Sequence, residues 1–238
     1  TRLIVELLFW RWPALLRHRR QWRTTGLTLA LALGLCVTLA PAAEPDPLVN
    51  PANRLPPAAP AWSDLVAAFA RQPDTTADFT ERRQFPFRNE PVELTGVVRV
   101  SADRGLSLHY LAPDERTVIL DPRGMLIRAR AGEKAPPAAP RATAAHEALR
   151  HVLRLDFAAL EKDFELYGRR DGRNWTLALV PRTKDLQRSI GRITVDGEAA
   201  AIRRIELRRS AKQVIEILIA APRPPAAFTA EELKAYFR

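Results

Sequence analysis

Val92-Glu-Leu-Thr-Gly-Val-Val-Arg-Val100 puts Val92, Leu94, Gly96, Val98 and Val100 on one side of an extended chain. Glu93, Thr95 and Arg99 fall on the other side, with Val97 the apolar exception. Successive strand side chains point to opposite faces, so this alternation predicts a strand with one buried face. The next run repeats the pattern, with Leu106, Leu108 and Tyr110 alternating with Ser107 and His109. Working outward, Thr117–Leu120 and Met125–Ala129 read as short strands, separated by the turn residues Asp121-Pro-Arg-Gly124. Farther on, Phe164–Tyr167, Trp175–Val180, Ile190–Val195, Ile202–Leu207 and Val214–Ala220 resume the strand texture. Asp171-Gly172 and Asp196-Gly197 are the two-residue turns expected between such runs.

Helical periodicity interrupts this meander in two places. Trp62–Ala70 carries Leu65, Val66 and Phe69 on one face, with Ser63 as its expected N-cap. After the Pro/Ala stretch Ala135–Pro140, Thr143–Leu153 places Leu149, Val152 and Leu153 together, and Phe157–Leu160 adds another apolar turn. About ten antiparallel strands with segregated helices predict an α+β fold, one antiparallel sheet curled over helices. The expected domain runs over residues 61–238.

The N-terminus has a different character. Arg2, Arg11, Arg17, Arg19, Arg20 and Arg23 precede an uncharged run, Leu27–Ala40, and then Ala40-Pro41-Ala42. A basic region, a short apolar run and a small-residue exit predict a secretory signal peptide over residues 1–42, cleaved after Ala42. Fourteen apolar residues make a helix of only ~21 Å, short of the ~30 Å of a bilayer's hydrocarbon. Residues 43–60, with Pro45, Pro47, Pro51, Pro56, Pro57 and Pro60, are expected to form an extended tether. The expected destination is the periplasm.

The chain's 238 residues carry 37 basic and 27 acidic side chains, a net charge of +10. The six arginines and Glu6 of the leader account for half of that surplus, leaving +5, which does not point to nucleic acid. The arginine pairs Arg82-Arg83, Arg169-Arg170, Arg203-Arg204 and Arg208-Arg209 lie in strands or at turns, where the two members face opposite ways. They are expected to form a solvated outer face.

Catalytic chemistry finds little support. Cys36, the one cysteine, lies in the leader, so neither a disulfide nor a thiolate zinc site is expected. His146 and His151 are five residues apart, off the four-residue spacing of a helical metal pair, and both are expected to be solvated. His109 is expected to be wet, on the polar side of its strand. No Gly-x-Ser-x-Gly elbow or glycine-rich phosphate loop occurs, so no enzymatic activity, metal or cofactor is expected.

Apolar surface is in surplus instead. Phe79, Leu94, Val98, Leu106, Leu108, Tyr110, Val118, Leu120, Trp175, Leu177, Leu179, Ile193, Ile205 and Ile217 can all face one concavity, with Leu149 and Val152 facing it from the second helix. They either form a filled core or line a cavity for an apolar ligand. An acyl chain gains ~0.8 kcal/mol for each CH₂ it buries.

Phe79-Thr80-Glu81, Gly96 opening a strand, Arg104 ending it, Tyr110, Pro113-Asp114-Glu115 and Asp121-x-x-Gly124 together resemble the LolA-like periplasmic lipoprotein carriers. The resemblance covers Trp62–Ala220. Gly105 after Arg104, and Tyr110 as the only aromatic nearby, mark a divergent branch. The resemblance implies an unclosed antiparallel β-barrel with helices as a lid over an apolar cavity. It implies a soluble monomer that takes an acylated lipoprotein, or another lipid, from an inner-membrane exporter to an outer-membrane acceptor. It also makes Arg104 the residue that tethers the lid to helix carbonyls. A non-carrying adaptor of an envelope or lipid-export complex is the alternative on the same fold.

Overall fold

The β2–β3 hairpin, Val92–Ser101 and Gly105–Ala112, forms as its alternation predicts, pairing Val98 with Leu108 and Val100 with Leu106. The computed structural model describes residues 47–57, 59–130, 132–134, 140–224 and 226–238, leaving aside the side chains of 140–146. The expected signal peptide lies outside the described residues.

Around the hairpin, β1 (Thr75–Gln84), β4 (Arg116–Asp121), β5 (Gly124–Ala129) and β6 (Gly132–Lys134) complete one half of the sheet. β7 (Phe164–Asp171), β8 (Asn174–Pro181), β9 (Arg192–Glu198), β10 (Ala201–Ser210) and β11 (Gln213–Ile219) form the other. The strand order is β6-β5-β4-β3-β2-β1-β11-β10-β9-β8-β7, antiparallel throughout, so the chain meanders outward from β1 to the β6 edge and then inward from the opposite edge, β7, to β11 beside β1. β6 and β7 end the sheet, which does not close. This is the expected α+β architecture with an unclosed sheet.

Among the described residues five α-helices join it: α1 (Ser63–Ala70), α2 (Pro140–Arg154), α3 (Phe157–Asp163), α4 (Lys184–Ser189) and α5 (Ala230–Tyr236). α1 to α3 gather over the face that carries Phe79, Val98, Leu177 and Ile205. Trp62 meets Phe157 and Trp175 edge-on at 5.8 and 6.1 Å, and Phe69 meets Trp175 at 6.0 Å. Ser63 is the first residue of α1 rather than its cap, and no side chain caps that helix.

The expected turn at Asp196-Gly197 is a correction. Both residues lie inside β9, and the chain reverses at Ala199-Ala200. Gly197 serves a close approach: a Cβ there would lie 2.0 Å from Trp175 Cζ2. The indole is fixed over it by a 2.8 Å bond from Trp175 Nε1 to the Ala199 carbonyl.

The opposite face departs from the expectation of a wet surface. Val97, Arg99, Ser107, Thr117, Ile119 and Asp121 are all buried there. The segment after β11 crosses this face and sets α5 against it. The Arg99 guanidinium stacks on the Tyr236 ring at 3.6 Å, Phe237 is 1% exposed, and Arg238 donates to both Asp121 oxygens at 2.6 and 2.8 Å. His109, expected to be wet, is mostly covered, with its ring 5.2 Å from that of Tyr236. On the β9–β11 half the arginines are paired: Arg204 bonds Glu216 at 2.6 Å and Asp196 at 3.0 Å and also reaches Glu206, which accepts from Arg208 at 2.7 Å.

The described part of the expected 43–60 tether, residues 47–57 and 59–60, touches edge strand β7. Leu55 N–H donates to the Leu166 carbonyl at 2.9 Å, Arg54 pairs with Glu165 at 2.8 Å, and Ala59 is buried.

Candidate functional site

Between α2 and the sheet runs an apolar cleft in two joined parts. The outer part holds about 60 Å³ and is bounded by Phe69, Ala77, Val98, Leu153, Ile202 and Ile219. The inner part holds about 10 Å³ and is walled by Phe79, Val98, Leu106, Leu108, Leu149, Leu153, Ile205, Ile217 and Ile219. Alternation brings these residues together. Strand pairing sets Val98 beside Leu108, Ile205 beside Ile217 and Phe79 beside Ile219, while Leu149 and Leu153 are one helical turn apart on α2.

Of the residues expected to line a cavity, Phe79, Val98, Leu106, Leu108, Leu149, Ile205 and Ile217 line this cleft. Val118 and Leu120 continue the same face, paired with Leu108 and Leu106, and Leu94 and Tyr110 lie toward the other end of the strands. Trp175, Leu177, Leu179, Ile193 and Val152 are buried side chains outside the cleft lining, Leu177 and Leu179 at 0% exposure. Sequence reasoning missed Gln72, Thr75, Ala200, Ala201 and Pro222 at the mouth. They sit at the first residues of β1 and β10, in the β9–β10 turn, and in the loops after α1 and β11, where no periodicity marks them.

Arg104 stands exposed in the β2–β3 turn and makes no hydrogen bond to α2 among the described residues. The tie runs in the opposite sense. Arg154, the last residue of α2, donates from Nη2 to the carbonyl of Ala102 at 2.5 Å and to that of Ser101 at 3.4 Å. The corner behind it is fixed by Asp156, which caps α3 through Ala159 N–H at 3.1 Å. The other Asp156 oxygen meets His151 Nδ1 at 3.1 Å, and His151 also meets Glu147 at 3.4 Å. His151 is therefore held rather than solvated. His146 falls among the residues whose side chains are not described.

Beyond Phe79 the inner face turns polar. Tyr110 Oη donates to Glu81 Oε2 at 2.7 Å, and Arg83 Nε donates to Glu81 Oε1 at 2.6 Å, with all three side chains buried. Burial, then the Glu81 charge, push the Tyr110 phenol far above its ordinary range, so it donates as a neutral hydroxyl. Burial disfavours the Arg83 cation, but the Glu81 charge, together with the interactions with Tyr110 and the Glu81 hydrogen bond, outweighs this and raises its pKa. Gly96 makes the arrangement fit. It lies between Phe79 and Tyr110 in the strand register, and a Cβ there would stand 2.7 Å from Phe79 Cε1. The two rings meet edge-on across it at 5.2 Å.

No group of three His, Cys, Asp or Glu side chains could hold a metal ion among the described residues, and none of their helices is long and apolar enough to cross a membrane.

An open antiparallel sheet, a helical cover and an apolar cleft between them define a binding fold. The family described as outer membrane lipoprotein carrier protein LolA-like matches residues 56–236, and the chain belongs to that family. Among solved structures it is similar to the LolA superfamily protein NE2245 from Nitrosomonas europaea, at 6% identity over 71% of this chain and 95% of that one, with a TM-score of 0.38. It is similar to a putative outer membrane lipoprotein-sorting protein domain from Vibrio parahaemolyticus, at 8% identity over 74% and 95%, with a TM-score of 0.41. It is also similar to the Pseudomonas aeruginosa MucA/MucB complex, at 17% identity over 73% of this chain and 59% of that one, with a TM-score of 0.43. No curated protein matches the chain.

Proposed function

We propose that this protein is a periplasmic carrier that shelters the acyl chains of a lipoprotein, or of a related lipid, between inner and outer membranes. The observation that carries this reading is the cleft, walled by aliphatic and aromatic side chains and roofed by a helix tied down at its C-terminal end by one arginine. Apolar walls gain from excluding water whether they meet each other or an acyl chain, so a lid and a ligand compete for the same surface. With the lid down the cleft is too small for a long chain, and loading requires α2 to lift. Cargo would enter from an inner-membrane exporter and leave to an outer-membrane acceptor.

The small closed volume favours a second reading, a non-carrying adaptor of an envelope complex on the same fold. Mass spectrometry of protein extracted gently from periplasm separates the two. Acyl species at near-stoichiometric amounts support the carrier; their absence, with no uptake of apolar probes, supports the adaptor.

A further inference from the structure

The cleft changes character along one row of the sheet. Strand pairing aligns Ile219, Phe79, Gly96, Tyr110 and Arg116 across β11, β1, β2, β3 and β4. Phe79 closes the apolar part, Tyr110 meets it edge-on, and the Arg116 guanidinium carbon lies 4.4 Å from the Tyr110 ring centroid. The apolar cleft thus leads, in two ring contacts, to a cation.

That cation is not neutralised nearby. Glu81 is the buried acid of this end, and its two oxygens are already taken by Arg83 Nε and Tyr110 Oη. Arg83 and Glu81 cancel, Tyr110 is neutral, and Arg116 remains in surplus. Arg116 is half-buried and makes no ion pair among the described residues. Its one hydrogen bond is a 3.5 Å contact to the backbone carbonyl of the exposed Asp114. Burial, with repulsion from Arg83, lowers its pKa from the ordinary arginine value, and the attraction of Glu81 and Asp114 does not offset this. A guanidinium carries five donors in a planar fork and matches carboxylate or phosphate oxygens two at a time.

From this placement we propose that the ligand of the cleft is an anionic amphiphile, its chain against Phe79, Leu108 and Ile217 and its carboxylate or phosphate head on Arg116. The proposal rests on the carrier reading and narrows it to a class of cargo. The Tyr110 ring fixes the guanidinium by its face, so the fork is presented to the ligand while the stem stays packed. Arg83, committed to Glu81, screens the acid from the incoming head.

The test is displacement of a bound apolar fluorophore, N-phenyl-1-naphthylamine, by hexadecanoate and by 1-hexadecanol, which share a chain and differ in head charge. Wild-type protein should prefer hexadecanoate by about tenfold, the worth of one charge-assisted hydrogen bond. Arg116→Gln should erase that preference by lowering hexadecanoate affinity far more than hexadecanol affinity, while Arg116→Lys should keep part of it. Hexadecyl phosphate, run alongside, shows whether the fork prefers phosphate to carboxylate; both should outrank the alcohol. Equal displacement by acid and alcohol in wild type, or a preference that survives Arg116→Gln, overturns the proposal and leaves the carrier reading standing. Failure of all three amphiphiles to displace the fluorophore overturns both.

Discussion

Arg154 Nη2 lies 2.5 Å from the carbonyl oxygen of Ala102, so the last turn of α2 is tied to the β2–β3 turn by a guanidinium that belongs to the helix. Arg104, three residues after Ser101 in the same turn, is exposed to solvent instead. The donor of this tie thus belongs to the helix and its acceptors to the β2–β3 hairpin. The physics is unchanged by the exchange, because a charged donor and a backbone carbonyl form the bond in either direction.

Arg154→Met should therefore loosen the lid. The bond is exposed, so about 1 kcal/mol is at stake, and α2 amides should exchange with solvent about fivefold faster. Uptake of an apolar probe should speed up in parallel. Arg104→Leu should change neither rate. A faster lid in Arg104→Leu, with Arg154→Met unaffected, would return the tether to Arg104.

Gly197→Ala should destabilise the whole domain. Its Cβ would fall 2.0 Å from Trp175 Cζ2, and the ring cannot yield while Nε1 is held by the Ala199 carbonyl and Trp62 and Phe69 pack against it in T-shaped contacts. Overpacking of this kind costs about 2 kcal/mol, and a domain of this size should melt roughly 4–8 °C lower. A thermal melt followed by circular dichroism checks it.

Acid should release the C-terminal segment. Burial alone would raise the Asp121 carboxyl, but hydrogen bonds from Arg238 and from the Arg123 backbone outweigh it and lower its pKa below the ordinary 3.8. A carboxyl with a depressed folded pKa stabilises above its unfolded value, and that stability is lost as pH falls through the folded one. Protection of α5 amides should therefore be constant above about pH 4 and fall below it. Arg238→Ala should weaken protection at neutral pH and flatten the acid dependence. Unchanged protection down to pH 2 in wild type would contradict the assignment.

The strands were legible because period two needs only apolar residues in alternation, and the inner rows from Leu94 to Ile217 supply it. Gly197 misled because Asp-Gly marks a turn by local propensity, whereas here the tryptophan paired directly with it on the neighbouring strand required the missing Cβ. The buried outer face was illegible from β2 to β5 alone. Arg99, Ser107 and His109 look solvated until Tyr236 and Phe237, more than a hundred residues on, are laid over them. The same blindness applies to the cleft. Alternation gave the inward face, but which inward residues line open space and which are packed solid depends on where Trp62, Phe157 and Leu149 come to rest.

Leu149 and Leu177 separate cleft from core. Leu177 is fully buried on β8, opposite Val195 on β9, and offers a carboxylate no water and no partner. Burying an unpaired charge costs more than a domain of this size can spare, so Leu177→Glu should fail to fold. Leu149 is on the lid, partly exposed, and lines the inner cleft. A glutamate there can swing its carboxylate to solvent by lifting the helix, so Leu149→Glu should fold, with stability lowered by about 1–2 kcal/mol. Its charge would nevertheless stand at the wall an acyl chain must touch. N-phenyl-1-naphthylamine should bind wild type with enhanced fluorescence and should bind folded Leu149→Glu at least tenfold more weakly. Undiminished binding in a folded Leu149→Glu protein would place the apolar site elsewhere on the molecule.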